Sequence, residues 1–467
     1  MKAKIALVLL LAIGVPNAVL AYTGKGKTQR SYQTDGSQAD VQRAIDAAPD
    51  DGSATVTVPA GTFDWSGSLV INKAVTLAGS DTTIRNQNAS TSMISAISGK
   101  KGNIVIYGFR IEQAVAPNTS GHAFMIHAGR DESTRHTVLI HNCRFDEKSI
   151  FNYSIEVGNN GIIIWGCSFI GSGSPAVQGL GGISFVCNHA DYQSYNRPST
   201  MGTLDPDGVH NSYVEDCSFK NAATGVSNFD SNARAVWRHN VHQDAALSSH
   251  GMETSPQGCT HWEIYDCTFR ITPDNPYNLN YWFQARGGTG VITNNDLDAV
   301  PWGKSQFQLN VFAITRGFND GYGGVGCPLE YPCPRQTGWS WADNGANWGK
   351  VEDSRNPQLL AGGKSPGYFL PFGKGAKLDP VYVWNNRGAG AKDAHYVDTQ
   401  TYMPDNCGNG KVIDTYLQKG RDYIVDQGPK SGWTPYPYPH PLRSQLGGGG
   451  DPSPSPTPTP TPSKKHH

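Results

Sequence analysis

A short alternation of apolar and polar positions recurs along the middle of the chain. Each copy has apolar residues one position apart, then Cys, Asn or an apolar residue, and often one further apolar residue. The copies are IVIYGFRI, VLIHNCRF, IIIWGCSF, ISFVCNHA, YVEDCSF, AVWRHNVH, EIYDCTF, VITNNDL and VYVWNNRG. Because side chains alternate between the two sides of a β-strand, each copy predicts one strand unit followed by a turn.

The spacing between the copies predicts the fold class. In the first eight copies the residue two positions before the end serves as a marker. These markers are Phe109, Cys143, Cys167, Asn188, Cys217, Asn240, Cys267 and Asn295. Their intervals are 34, 24, 21, 29, 23, 27 and 28 residues. A period in the twenties is typical of a β-solenoid, in which stacked coils bury continuous apolar columns, whereas a β-propeller needs about 40 residues per repeat.

The N-terminal part adds a helix and a first coil. In DVQRAIDAAP, the residues Val41, Ala44, Ile45 and Ala48 follow helical spacing, which predicts a helix that caps the solenoid. VTVPAGTF is predicted to be the first coil. These segments and LVINKAVTLAGS resemble the N-terminal part of pectate-lyase-like proteins, and the repeats extend this resemblance over about residues 35–390.

The resemblance implies a right-handed parallel β-helix, an all-β fold. The C-terminal GRDYIVDQGPKSGWTPYPYPHPL is similar to the closing segment of secreted bacterial members of the same broad group. Lyases, hydrolases, epimerases and adhesins share this fold, so the resemblance alone implies no single activity.

Composition narrows the class of protein. The 467 residues carry a formal net charge of −1 and only 16% charged residues, while 54 residues are Gly and 10% are aromatic. This balance gives no general attraction to nucleic acid or to an anionic membrane. We therefore expect an extracellular β-rich protein with no nucleic-acid partner and no membrane insertion.

Both ends of the chain are predicted to lie outside the solenoid. Residues 1–21 combine a basic start, an apolar stretch too short to span a bilayer and a small-residue site ending at Ala21. This predicts a signal peptide, and hence a secreted, extracellular or cell-surface protein. The β-helix domain is then residues 22–445, with a long insertion at about 300–375. Residues 446–467 are Gly and then Pro/Thr-rich, which predicts an extended tail for attachment to a cell surface or wall.

The cysteines fit a buried column better than a metal site. The four at the inward marker position are Cys143, Cys167, Cys217 and Cys267. We predict that they are buried thiols, and no CxxC pair is present. Cys327 and Cys333 lie in a Pro/Gly loop, where a local disulfide is one alternative in an exported protein.

The outward positions of the later coils carry chemistry. If each marker points inward, the residues two and four positions before it point outward. In the early coils these positions are apolar or aromatic and are predicted to lie under another part of the chain. In the later coils they are predicted to be exposed and, being about 4.8 Å apart from coil to coil, to be neighbours. The predicted substrate-binding residues are Glu215, Arg238, Tyr265, Glu263 and His210. Glu215 and Arg238 are alternatively a cross-coil ion pair.

Loops of the same coils supply candidate catalytic residues. β-Elimination on a uronic-acid polymer needs a cation for the sugar carboxylate, a base for the C5 proton and an acid for the leaving oxygen. Arg286, Arg234 or Arg238 suits the first role, His250 the second, and Tyr281 or Tyr265 the third. The predicted catalytic residues are His250, Arg286, Glu253, Arg234 and Tyr281. The combination of His with several Arg favours a polysaccharide lyase.

Two alternatives remain open. Hydrolysis needs two carboxyl groups flanking the bond, and the candidates are Glu253, Asp230, Asp244, Glu215 and Glu263. SHG at 249–251 resembles one element of polygalacturonases, but their paired Asp motifs are not evident. The non-enzymatic alternative is a glycan-binding or adhesin protein. The predicted partner is a polysaccharide, and no cofactor is predicted. Ca²⁺ binding stays open because the loops are rich in Asp and Asn, although no EF-hand-like loop is present.

Overall fold

The computed structural model of the protein describes residues 18–23, 27–115, 124–131, 133–147, 153–159, 161–171, 183–186, 211–222, 226–230, 233–249, 259, 261–272, 282–298, 312–314, 337–341, 376–389, 397–398 and 418–444. Within these residues, short strands stack as parallel coils with three faces. Parallel strands joined by crossovers are almost always right-handed, in agreement with the predicted right-handed parallel β-helix.

The first face carries the candidate chemistry. Its strands are β2 (Lys27–Gln33), β3 (Ala54–Val58), the first part of β6 (Val75–Asn86), the first part of β8 (Ile104–Gln113), β10 (Val138–His141), β13 (Ile163–Trp165), β16 (Ser212–Glu215), β19 (Arg234–Arg238), β22 (His261–Tyr265), β25 (Thr289–Thr293), β30 (Val381–Trp384) and β33 (Tyr423–Val425). Neighbouring strands pair in parallel register, so that Ile140 lies opposite Ile164 and Trp237 lies opposite Ile264.

The second face follows each strand of the first after a tight bend. Its strands are β4 (Gly61–Trp65), the second parts of β6 and β8, β11 (Arg144–Asp146), β14 (Ser168–Ile170), β17 (Ser218–Ala222), β20 (Val241–Ala245), β23 (Thr268–Arg270), β26 (Asp296–Asp298) and β31 (Arg387–Ala389). These strands also pair in parallel, as with Phe145 and Phe169.

The third face completes each coil. Its strands are β5 (Leu69–Ile71), β7 (Ile94–Ser98), β9 (Ile126–Arg130), β12 (Ile155–Val157), β15 (Ile183–Val186), β18 (Ser227–Asp230), β21 (Leu247–Ser248), β24 (Phe283–Ala285), β27 (Phe312–Ile314) and β32 (Val397–Asp398). Outside the coils, β1 (Ala18–Thr23) pairs antiparallel with β2, and β28 (Trp339–Trp341) pairs antiparallel with β29 (Ala376–Leu378). A parallel bridge between Phe229 and Ser249 joins the two hydrogen-bonded parts of this face.

One of the nine copies was assigned to the wrong face. ISFV forms β15, which pairs with β12 and β18 on the third face, and Asn188 lies outside the described residues. The marker interval after Cys167 therefore runs directly to Cys217, because β13 pairs with β16 on the first face. Apolar alternation looks the same on every inward-facing strand, so it did not distinguish the faces.

The bend between the first and second faces has a fixed backbone conformation. Asn142, Asp216, Asp266 and Asn294 have φ values of 50°, 52°, 54° and 57°. Asn and Asp tolerate this left-handed region better than most residues because their short polar side chains bond locally. His239 occupies the same position with φ 55°. The residue after the bend then points into the core, which explains why the marker position is apolar, Cys or Asn.

Aromatic rings form one internal column behind the second face. Phe145, Phe169, Phe219, His242 and Phe269 stack with centroid separations of 4.9, 4.8, 5.0 and 4.4 Å. The Nε1–H of Trp237 donates to Nε2 of His242 at 2.9 Å. Burial lowers the pKa of His242 to about 3, so this ring is a neutral member of the core.

Buried thiols and amides form a second internal column at the bend. Cys143, Cys167, Cys217 and Cys267 are buried free thiols, which confirms the prediction for them. Asn295 replaces a thiol, and its side chain accepts from the amide of Cys267 at 3.0 Å and donates to the carbonyl oxygen of Ile264 at 3.1 Å. The amide ladder thus satisfies main-chain groups that the bend would leave unpaired.

The predicted helix and first coil are present. Helix α1 (Gln38–Ala47) begins after Ser37, whose hydroxyl accepts from the amide of Asp40 at 3.3 Å. Its apolar stripe of Val41, Ala44 and Ile45 is buried and the helix packs against β3 and β5. Its role as a cap stays a prediction.

A carboxyl group lies buried between β11 and β12. Glu147 is 4% exposed, and the Ser154 hydroxyl donates to its Oε1 at 3.1 Å. Burial raises the pKa of Glu147 to about 8, because a desolvated carboxylate is costly. Glu147 is therefore a neutral acid near neutral pH.

The chain divides into two compact units, Met1–Ser431 and Gly432–His467. The described part of the second unit contains the cis peptide Tyr438–Pro439 and helix α2 (Pro441–Ser444). Among the described residues, no helix combines the length and apolar character needed to cross a bilayer. The proposed signal peptide is only partly described, and the Pro/Thr tail, Cys327 and Cys333 lie outside the described residues.

Candidate functional site

The outer side of the first face carries a continuous column of large side chains. Strand pairing places Trp165, Glu215, Arg238, Tyr265 and Thr293 in successive coils at one position of this face. The parallel register follows from the apolar residues between them, which all point into the core. The sequence therefore predicted this adjacency correctly for the later coils.

The exposure of these later residues was predicted incorrectly. Glu215, Arg238 and Glu263 are 0% exposed and Tyr265 is 1% exposed. Local alternation shows only that a side chain leaves the core, and it contains no information about what covers the outer side of the sheet.

Glu215, Arg238 and Tyr265 form a connected group across three coils. Nε of Arg238 donates to Oε1 of Glu215 at 2.8 Å, and Nη2 of Arg238 contacts the same oxygen. Nη1 of Arg238 donates to the Tyr265 hydroxyl at 2.9 Å. The guanidinium carbon also lies 5.4 Å from the ring centroid of Tyr213. The cross-coil ion pair named as an alternative is therefore present.

The protonation states of this group follow from burial and charge. Burial by itself lowers the pKa of Arg238, but the nearby Glu215 carboxylate and Tyr265 outweigh it and raise the pKa. Burial raises the pKa of Tyr265 well above its ordinary value of 10.0. Tyr265 therefore keeps its proton at neutral pH, and Arg238 stays a cation already bound to a carboxylate.

A second pair lies two positions earlier on β22. Nε2 of His261 lies 3.0 Å from Oε1 of Glu263, and the side chains are 4% and 0% exposed. Three buried atoms here have no hydrogen-bond partner among the described residues: Nδ1 of His261, Oε2 of Glu263 and Oγ1 of Thr293. Unmade hydrogen bonds on buried polar atoms cost about 1–3 kcal/mol each, so their concentration on one face is unusual.

Arg234 and Arg286, two of the arginines proposed as cations, lie in different settings. Arg234 begins β19, is 0% exposed and donates from Nε to Oδ1 of Asn211 at 2.7 Å. It lies opposite His261 in the strand register. Arg286 follows β24 and is half-buried, and its Nε donates to the carbonyl oxygen of Ser249 at 2.8 Å. The side chain of Arg286 therefore hydrogen-bonds the main chain of a turn.

The other predicted site residues divide into two groups. His250, Glu253, Tyr281 and His210 lie outside the described residues. Asp244 accepts from the amide and hydroxyl of Thr272, each at 2.7 Å, and holds a corner of the coil. Asp230 ends β18 on the third face.

The early coils carry a stack of rings instead of charges. Tyr107 stacks on His141 at 4.8 Å, and His141 stacks on Trp165 at 4.3 Å. Leu139 and Ile163 beside them are buried, as predicted. Since His141 is stacked on both faces, neither face of its ring can contact a sugar.

The described residues contain no group of three or more His, Cys, Asp or Glu side chains arranged to hold a metal ion. The HNVH segment does not form one, because His242 points into the core and His239 lies on the bend. His239 is instead near Asp266, with 3.7 Å between Nε2 and Oδ2. The Ca²⁺ alternative stays a prediction.

Sequence reasoning missed the pairing of His261 with Glu263. Residues i and i+2 of a strand lie on the same side, and the segment HWEIY alternates polar and apolar positions. A His two positions before a Glu on an outward-facing strand was therefore the available signal.

Comparison with known proteins gives distant structural similarities only. A scan of protein families found no match, and a search of the curated proteins found none. Among solved structures, ORF18 of Geobacillus virus E2 is 15% identical with a TM-score of 0.35, over 64% of this chain and 66% of that protein. The chain thus spans just under two thirds of the viral protein. Pectin methylesterase from Aspergillus niger is 13% identical with a TM-score of 0.28, over 77% of this chain and 86% of the esterase. Neither similarity assigns a function.

The arrangement provides the groups that acid–base chemistry needs. It combines a protonated phenol, a histidine paired with a carboxylate and arginines, all on one side of three neighbouring coils. In such a buried setting, charge interactions are stronger than in water. The site therefore suits proton transfer on an anionic or polyhydroxylated molecule.

Proposed function

We propose that this protein is a secreted carbohydrate-active enzyme that cleaves an acidic extracellular polysaccharide by β-elimination. The observation that carries the proposal is the buried outer cluster of Arg234, Arg238, Tyr265, His261 and Glu263 on two neighbouring strands of the first face, β19 and β22. A structural ion pair needs only two such groups, whereas this cluster also holds polar atoms of His261 and Glu263 that have no hydrogen-bond partner in the part of the chain that the structure describes.

The roles follow from the contacts. Arg234 is the cation that neutralises the uronate carboxylate, since it is buried in the cluster and lies opposite His261 in the strand register. Arg238 is bound to Glu215 and holds Tyr265 in place, so we assign it no direct role toward the substrate. Tyr265 retains its proton and donates it to the leaving oxygen.

The reaction balances without a cofactor. A base removes the proton at C5 of the uronate, the C–H electron pair forms the C4–C5 double bond, and the C4–O4 bond breaks. O4 leaves with its electron pair and receives the Tyr265 proton. Because the cluster is buried, a substrate has to displace part of what covers this face before it reaches these groups.

The direct test is a substrate panel. The purified mature chain is incubated with polygalacturonate, alginate and a glucuronic-acid polymer while absorbance near 235 nm and new reducing ends are followed. We expect both signals to rise together on at least one polymer, since elimination creates a conjugated double bond. Reducing ends without absorbance would show hydrolysis, and retention on a polymer with neither signal would show a glycan-binding protein. Either result, or no interaction, overturns the lyase.

A variant pair locates the chemistry. Arg234→Gln is expected to lower kcat/KM by about 10²–10³-fold, as expected for loss of a charged transition-state contact. The matched control is Arg144→Gln on the second face, where Arg144 pairs with Asp146 and is 49% exposed. If both variants retain wild-type turnover, the cluster is not the active site.

A further inference from the structure

The pair formed by His261 and Glu263 has the geometry of a proton-accepting dyad. Both residues point outward from β22, with Nε2 of His261 at 3.0 Å from Oε1 of Glu263. The side chains are 4% and 0% exposed, so water does not solvate them freely. A carboxylate that holds one ring nitrogen of a histidine fixes both the tautomer and the orientation of the ring.

The tautomer follows from the donor and acceptor properties of the two groups. An ionised carboxylate only accepts hydrogen bonds, so the proton of a neutral His261 resides on Nε2, facing Glu263. Nδ1 then carries a lone pair. This atom has no hydrogen-bond partner among the described residues, and the same holds for Oε2 of Glu263. Two buried acceptors on one pair thus have no donor within the described ranges.

The neighbouring strands make this location suitable for a sugar. Arg234 lies opposite His261 in the register with β19, and Tyr265 follows Glu263 by two residues on the same side of β22. Thr293 lies opposite Tyr265 on β25, and its buried hydroxyl also has no partner in the described part of the chain. The dyad therefore shares one side of the sheet with the cation and the acid.

Resting on the proposed function, we infer that His261 is the base of the reaction, that it accepts the C5 proton at Nδ1, and that Glu263 is a positioning residue. On proton transfer the imidazole becomes an imidazolium, and the Glu263 carboxylate stabilises its charge. The C5–H electron pair moves into the C4–C5 double bond, and the imidazolium later returns its proton to solvent. His250, the base predicted from the sequence, is not required in this scheme.

The first test uses the intact wild-type protein and does not depend on activity. Nitrogen-15 NMR of the histidine rings at pH 7.5, with His261 assigned through the His261→Gln variant, reports which ring nitrogen carries the proton. We expect the Nε2–H tautomer with an unprotonated Nδ1. An Nδ1–H tautomer of His261 would overturn the inference even if the protein is an active lyase.

The second test is chemical rescue on the polymer that the wild-type enzyme cleaves. His261→Gly is expected to lower kcat by about 10²–10⁴-fold, with much of the loss recovered by millimolar imidazole. Glu263→Gln keeps the shape of the side chain and is expected to lower kcat with little change in KM. The melting temperature of each variant is measured alongside.

A second His–Glu pair in the same chain supplies the control. On the third face, Nδ1 of His127 lies 2.5 Å from Oε2 of Glu156, with His127 26% exposed. His127→Gly is expected to keep wild-type turnover and to show no response to imidazole. If His261→Gly turns over normally, or is inactive with a wild-type melting temperature and no rescue, the inference fails. Absence of turnover in the wild-type enzyme would instead refute the proposed function.

Discussion

Replacing Glu147 by Gln is expected to make the protein more resistant to alkaline pH. Gln keeps the shape of the side chain and its acceptor for the Ser154 hydroxyl, but it cannot ionise. In the folded protein burial raises the pKa of Glu147 from 4.5 to about 8. The unfolded chain therefore releases this proton near pH 4.5, whereas the folded chain keeps it until about pH 8.

The sign and size of the effect follow from this difference. Stability from the raised pKa of Glu147 is fully present below pH 4.5 and is lost progressively as pH rises to about 8. The shift corresponds to about 5 kcal/mol across that window. Relative to wild type, Glu147→Gln should therefore gain stability continuously between these two pH values and reach a plateau above them.

Urea unfolding at pH 4, 6, 7 and 9 measures the effect, with the m-value compared at each pH. The control is Glu112→Gln on the second face, where Glu112 pairs with Arg110 near the surface. Its difference from wild type should stay nearly constant from pH 6 to pH 9. A pH-independent difference for Glu147→Gln would show that Glu147 is already ionised in the folded protein and would refute the reasoning.

Three further predictions concern the core and the cluster. His242→Phe should remove an acid sensitivity of the wild-type protein. Because burial lowers the pKa of His242 to about 3, wild-type stability is lost as pH falls from 6.5 towards 3. Circular dichroism during acid titration measures the difference. Arg238→Met should cost about 3–5 kcal/mol because the buried Glu215 carboxylate loses its paired cation, and adding Glu215→Gln should restore most of it in urea unfolding. Asn295→Ala should cost about 2–4 kcal/mol and speed hydrogen exchange at the amide of Cys267. Unchanged exchange would contradict the bonding role of this Asn.

The sequence identified the solenoid because its signal is local and repeated. Alternation placed Ile264 and Cys267 inside and Tyr265 outside, and the structure confirms each orientation. The same alternation assigned ISFV to the wrong face, because inward strands on all three faces have the same pattern. The bend after the first face is marked by Asn or Asp in several coils, but apolar alternation alone does not show which bend follows a strand.

The sequence predicted which residues of the candidate site lie next to one another, but it did not predict their burial. The pairing of Glu215 with Arg238 follows from stacking outward positions of adjacent coils, which the sequence supplies. Their complete burial does not follow, since the pattern of a strand contains no information about what covers the outer side of the sheet. His242 shows the same limit: its ring occupies a position that Phe fills in adjacent coils, so packing determines its role, and the residue type alone does not show this.

The amide ladder at the bend also defines a late step in folding. Asn295 bonds to Cys267, which lies 28 residues away, but it also bonds to Asn386, which lies 91 residues away. Closing the longer connection costs about 1 kcal/mol more in chain entropy. A folding front that advances coil by coil should therefore pause after β26. Until β30 and β31 dock, β25 and β26 form an open edge, which can template aggregation with a second nascent chain.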